Sequence, residues 1–168
     1  MLGRRENEMT QATPAPFTQR EKYQSECIRW ITSFEPDLFV TFAINHAISM
    51  DQAQKLFEDF HLRLDAKLVG RAMMRRPDQR TDYIATIEKP DTNLHIHALF
   101  RMTAEQKARF GEVAPVIWAK LAKAGNIDIK PVHYAEGAAR YITKELGPDT
   151  SDRLLLPPHK EKKITTAV

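Results

Sequence analysis

The chain carries a single cysteine, Cys27, among its 168 residues. One thiol excludes an internal disulfide framework and any zinc cage built from several cysteines, and it favours a reducing, intracellular setting. Long apolar runs are missing too. No stretch approaches the roughly 20 residues of a membrane span. The Arg- and Glu-bearing N-terminus lacks the apolar core of a secretory signal, so a cytoplasmic protein with no membrane partner is expected. No Gly-x-x-x-x-Gly-Lys-Ser/Thr phosphate loop occurs, which excludes an ATP-driven motor of that type. Internal repeats and low-complexity tracts are absent. Charge of one sign is scarcely in excess: 25 Lys and Arg against 22 Asp and Glu give +3. That balance permits nucleic-acid binding without arguing for it, so the placement of the charges decides.

What is present suits one globular domain with a sizeable core. Residues 1–16 are polar, hold Pro14 and Pro16, show no periodicity and are expected to form a flexible tail. Tyr23, Cys27, Ile28 and Ile31 recur at helical spacing, predicting an amphipathic helix from about Thr18 to Ile31. After Pro36, the β-branched and aromatic run Leu38 to Ile44 predicts a buried strand. Ser49 and Gln52 have capping-box spacing, and Leu56, Phe57, Phe60, Leu64 and Leu68 continue a helical stripe that Gly70 should end. Tyr83 to Glu88 and Leu94 to Met102 read as strands around the turn formers at 89–93, and should pair as an antiparallel hairpin.

Thr103 with Gln106 is a second capping box. It opens a helix to about Ala124, closed by Gly125 and expected to kink or split at Pro115. Asn126 to Val132 predicts a fourth strand, placed by Pro131 at a sheet edge or at the strand's end. Glu136 to Leu146 predicts a short helix stopped by Gly147-Pro148, and residues 148–168 a tail or linker. The order is α-β-α-β-β-α-β-α, with βαββαβ at its middle. Residues 17–147 should therefore fold as one α+β domain of split-βαβ type, ferredoxin- or RRM-like. Its antiparallel sheet should have helices packed on one face and the active site on the other.

The chemistry centres on two histidines. His95 and His97 stand two apart on a strand and so project to one face, while Leu94, Ile96, Ala98 and Phe100 project to the other. Two imidazoles on an open face can bind a divalent metal that needs at least one more ligand. Glu88, at the end of the partner strand, is that third ligand once the hairpin closes. Two His and a carboxylate leave positions for substrate oxygens, as Lewis-acid chemistry on a phosphoryl group requires. Such an alternation is otherwise an ordinary half-exposed strand.

On the last helix, Tyr141 and Lys144 are three residues apart and share a face. A tyrosyl oxygen becomes a competent nucleophile on losing its proton, at an ordinary pKa of about 10. A neighbouring metal or ammonium favours the phenolate, and Lys144 would also offset phosphate charge. The plainer alternative makes Tyr141 a core aromatic and Lys144 a solvated charge.

Leu94-His-Ile-His-Ala-Leu99 resembles the paired-histidine motif of the HUH endonucleases, and Tyr141-Ile-Thr-Lys144 resembles their tyrosine motif. Phe39-Val-Thr-Phe-Ala-Ile-Asn45 is similar to the first, less specific motif of that superfamily's replication initiators. The three occur in the family's order across about residues 38–146. The resemblance implies a split-βαβ fold and an endonuclease and strand-transferase that initiates rolling-circle replication of a plasmid or phage. Tyr141, helped by Lys144, would cut one DNA strand and become joined to its 5′ phosphate. Mn2+ or Mg2+ would sit on Glu88, His95 and His97; zinc, cobalt and nickel suit the same donors. The implied substrate is single-stranded or hairpin DNA at a replication origin, with a separate helicase to unwind it. A single-tyrosine transposase or relaxase of the superfamily, or an inactive DNA-binding module, are the alternatives. Tyr134 is a second tyrosine nearby, given a minor role in stacking on a base.

Arg71, Arg75, Arg76 and Arg80 cluster in a connector beside the hairpin and are candidate phosphate contacts, or else a solvated loop. Arg140, Arg101 and Lys130 are further candidates, with tail residues Lys160, Lys162 and Lys163 adding nonspecific attraction or mere solubility. His46, His61, His133 and His159 lack comparable partners and are not read as ligands. Trp30 and Trp118 are read as core.

Overall fold

Five strands form one antiparallel sheet in the computed structural model, which describes residues 16–160. They are β1 (Leu38–Ala43), β2 (Asp82–Glu88), β3 (His95–Arg101), β4 (Asn126–Pro131) and β5 (Leu154–Leu155), in the order β4-β1-β3-β2-β5. Among the described residues the α-helices are α1 (Gln19–Ser33), α2 (Met50–Leu68), α3 (Ala104–Leu121) and α4 (Ala135–Thr143). This is the expected α+β, split-βαβ arrangement, with β2 and β3 as the hairpin and Pro131 ending the edge strand β4.

Local chemistry explains where the helices start and stop. Thr18, Ser49 and Thr103 each accept from the backbone N–H three residues on, and Glu21, Gln52 and Gln106 reach back to the cap. Each such box contributes about 1 kcal/mol. Past α2, Gly70 takes a left-handed φ of 94°. The helix α3 runs through Pro115 without splitting and stops at Leu121. Gly125 acts by close approach: a Cβ there would stand 2.3 Å from the Ala43 carbonyl oxygen, at the end of β1.

Alternation along the strands sorts the residues into two layers. Val40, Phe42, Tyr83, Ile87, Ile96 and Phe100 face α2 and α3 and pack on Phe57, Phe60, Phe110 and Trp118. Phe42 meets the rings of Phe57, Phe60 and Trp118 edge-on at centroid distances of 5.1, 4.8 and 4.9 Å, each contact contributing about 0.5–1.5 kcal/mol beyond burial.

The opposite face is only half open, where helices were expected on one side alone. Ile84 and Leu99 are covered by Ile31 of α1 and by Ala139 and Ile142 of α4. Cys27, Ile28 and Ile31 of α1 pack in this smaller cluster with Ala138, Ala139 and Ile142 of α4. Gln24 of α1 donates to the carbonyls of Thr143, Lys144 and Leu146, and Arg20 donates to that of Lys144. These bonds satisfy carbonyls that the end of α4 leaves free, so α1 anchors the turn carrying Lys144.

Residues 148–160 are not the tail or linker expected. A 3-10 helix spans Pro148–Arg153, β5 pairs with Ala85 and Thr86, and Tyr83 Oη donates to the Leu156 carbonyl. Leu155 enters the main core while Leu154 and Leu156 join the smaller cluster, so successive leucines serve both layers. Trp118 is buried as expected; Trp30 is not, and stands 42% exposed. The expected N-terminal tail, save Pro16, and Lys162 and Lys163 lie outside the described residues. No helix among the described residues is long and apolar enough to cross a membrane.

Candidate metal centre and its tyrosine

Strand register brings the donors together. Glu88 pairs with His95 across β2 and β3, and Thr86, His97 and Thr41 form the next row across β2, β3 and β1. Cross-strand partners project to the same side, so Glu88, His95 and His97 meet on the half-open face. One donor atom from each lies within 4.8 Å of the other two, which makes this a cluster that could hold a metal ion. Glu88 Oε2 is 3.3 Å from His95 Nε2 and 3.4 Å from His97 Nε2.

The donor set fits a cation. Glu88 is 2% exposed, and its Oε1, like His97 Nε2, is buried without a hydrogen-bond partner. Lys144 meets the other oxygen, Oε2, but the two unpartnered atoms are costly to bury unless an ion or a donor reaches them. His95 Nδ1–H donates to the Asn93 carbonyl at 2.9 Å, which leaves Nε2 as the lone-pair nitrogen of the neutral ring. His97 Nδ1 lies 3.0 Å from Thr41 Oγ1 and, with its proton there, donates to that hydroxyl. Burial pushes the His97 imidazole down to about 4; Glu88 opposes the shift, while His95 and Lys144 add to it. The ring is therefore neutral near pH 7, the state a metal ligand requires.

The sheet end and α4 converge on this cluster. The Tyr141 ring stands 5.2 Å from that of His97 and 5.5 Å from that of Phe39, both nearly edge-on. Lys144 Nζ lies 3.9 Å over the Tyr141 ring and 3.1 Å from Glu88 Oε2. Burial alone would lower the Lys144 pKa, but its bonds and charge interactions with Glu88 and Tyr141 outweigh that and raise it. Tyr141 remains 48% exposed, so its ring borders both the histidines and solvent.

The basic residues fare differently. Arg71, Arg75 and Arg76 are exposed on the connector ahead of β2. That connector adjoins Asp82, at the opposite end of β2 from Glu88, about 20 Å away at 3.3 Å per residue. Arg80 is not free: its Nε lies 2.7 Å from Asp65 Oδ2, and its side chain is 9% exposed. Arg140 is exposed but bonds Glu136 at 2.6 Å, on the side of α4 facing the α1 groove. Arg101 pairs with Asp82, Lys130 with Asp128 and Lys160 with Asp82. His61 bonds Thr81, and none of His46, His61, His133 or His159 joins the metal cluster.

Sequence reasoning missed Thr41 and Phe39 as supports for His97 and Tyr141. Their period-2 spacing on β1 put them on the histidine face; which residues they oppose depends on register, which the sequence does not display. The chain matches no family model, no curated protein and no solved structure.

Proposed function

We propose that the protein is a DNA nicking and joining enzyme of the HUH type, a replication initiator with Tyr141 as its single nucleophile. The observation that supports this most directly is the convergence of Tyr141 of α4 and Lys144 just past its end on the Glu88, His95 and His97 cluster. A structural tyrosine would be buried in the apolar layer between α1 and α4; Tyr141 instead stands between imidazoles and solvent, beside an ammonium.

Glu88, His95 and His97 would hold a divalent ion, with Mn2+ and Mg2+ the physiological choices, and that ion would supply Lewis-acid polarisation of the scissile phosphate. Tyr141 Oη forms the new bond to phosphorus as the bond to the 3′ oxygen breaks. The phenolic proton passes to solvent and the departing 3′ oxygen takes one up. Lys144 offsets the charge that builds on the phosphoryl oxygens. Thr41 and Asn93 keep the imidazoles oriented, and Phe39 holds the Tyr141 ring beside His97. The substrate is a single-stranded or hairpin origin, opened by a separate helicase.

The test is incubation with end-labelled single-stranded origin candidates and Mn2+ or Mg2+, followed by denaturing gels. A covalent adduct retaining only the downstream strand, and lost with chelator, is expected. DNA binding with no adduct across broad sequence pools and both metals would instead indicate a DNA-binding module.

A further inference from the structure

A groove of about 390 Å³ lies between β4 and α4, walled by Phe39, Lys130, Val132, Tyr134 and Tyr141. We infer that this groove is a stacking pocket for one unpaired nucleobase of the strand that lies against Tyr141, an assignment resting on the nucleic-acid reading of that site. Its volume falls at the small end of ligand pockets, enough for a base and part of its sugar.

Two tyrosines present ring surface to it. Tyr134 is 64% exposed and Tyr141 48% exposed. The Tyr134 ring has two contacts with α4. It lies over Gly137, where a Cβ would stand 2.7 Å from Tyr134 Cδ1, and its Oη donates to Glu136 Oε2 at 3.2 Å. An aromatic ring laid along α4 and left open to solvent offers a surface for stacking, which every base accepts because each has a π face. Lys130 stands opposite Phe39 in the β4–β1 register and adds a cation for the adjoining phosphate; Asp128, also exposed, is its present partner. Tyr141 lines the groove and stands beside His97 of the metal cluster, so a base seated here belongs to a nucleotide next to the phosphate at Tyr141.

The full chain carrying Tyr141→Phe, which keeps the ring and blocks strand transfer, is the material for the test. Its probes are fluorescein-labelled dT12 and a 12-unit abasic chain of equal charge. The expected result is about ten-fold tighter binding of dT12, the scale of one stacked base. Tyr134→Ala should remove most of that preference, and Tyr134→Phe should keep it. Gly137→Ala should also remove it, by displacing the ring, although alanine favours the helix more than glycine does. An unchanged preference in Tyr134→Ala and Gly137→Ala overturns the assignment. Adduct formation by the chain with Tyr141 intact separates the two readings. A base preference without adduct leaves the pocket and removes the nicking activity; adduct without base preference does the reverse.

Discussion

Lys144 Nζ rests 3.1 Å from Glu88 Oε2, the same carboxylate oxygen that both His95 Nε2 and His97 Nε2 face. An ammonium thus neutralises the buried carboxylate at the point where a divalent ion would bind. The two cations compete. Lys144→Met should bind Mn2+ roughly three- to ten-fold more tightly, because a unit charge at that distance is removed, while losing strand-transfer rate. Titration calorimetry with Mn2+ checks this, and weaker binding by the variant would show that Lys144 supports the ion.

Thr41 holds His97 through a bond of 3.0 Å. Removing an outer partner of a ligating histidine commonly lowers metal affinity by about 10- to 100-fold. Thr41→Val should weaken Mn2+ binding on that scale with little change in melting temperature, and Thr41→Ser should restore it. Equal affinity in all three proteins would remove Thr41 from the site.

Much of this architecture is legible in the chain. Two of the capping boxes, the hairpin around 89–93 and the alternation in Leu94 to Met102 place His95 and His97 on one face opposite an apolar one, and the sheet has that form. Glu88 could be paired with them because a short hairpin leaves few registers. What escaped was non-local. The cover of Ile84 and Leu99 by α1 and α4 depends on contacts between distant segments. The fate of Arg80 depends on Asp65, an acid buried on α2 and 15 residues away in the chain. The Leu154–Leu156 run lay among prolines and lysines that suggested a tail, although Leu154 and Leu155 suffice for a short edge strand.

Burial pushes the His61 imidazole down to about 4, against the opposing charge of Asp65. The unfolded chain takes up this proton near pH 6.5, and the folded chain not until about 4. The associated stability is complete above pH 6.5 and is lost as the pH falls toward 4. In chelator-treated protein, His61 should contribute a loss of roughly 2–3 kcal/mol across that window. Urea melts from pH 7.5 to 4.5 should fall less steeply for His61→Gln, and identical slopes would contradict the buried neutral ring.

Gly125 admits no side chain beside the Ala43 carbonyl. Gly125→Ala should cost roughly 1–3 kcal/mol in a urea melt. Ala43 pairs with His95, so the same variant should also weaken Mn2+ binding. A variant as stable as the parent would show that β1 yields there without cost.

If Tyr141 becomes joined to DNA, trypsin isolates the linkage. Cleavage after Lys123, Arg140 and Lys144 places Tyr134 in the peptide 124–140 and Tyr141 in the peptide 141–144. After reaction with origin DNA and Mn2+, nuclease trimming and digestion, mass spectrometry should find a 5′-phosphonucleotide on the 141–144 peptide. That modification should vanish in Tyr141→Phe and in EDTA. A nucleotide on the 124–140 peptide instead, or on neither while DNA is bound and metal is present, would contradict the account.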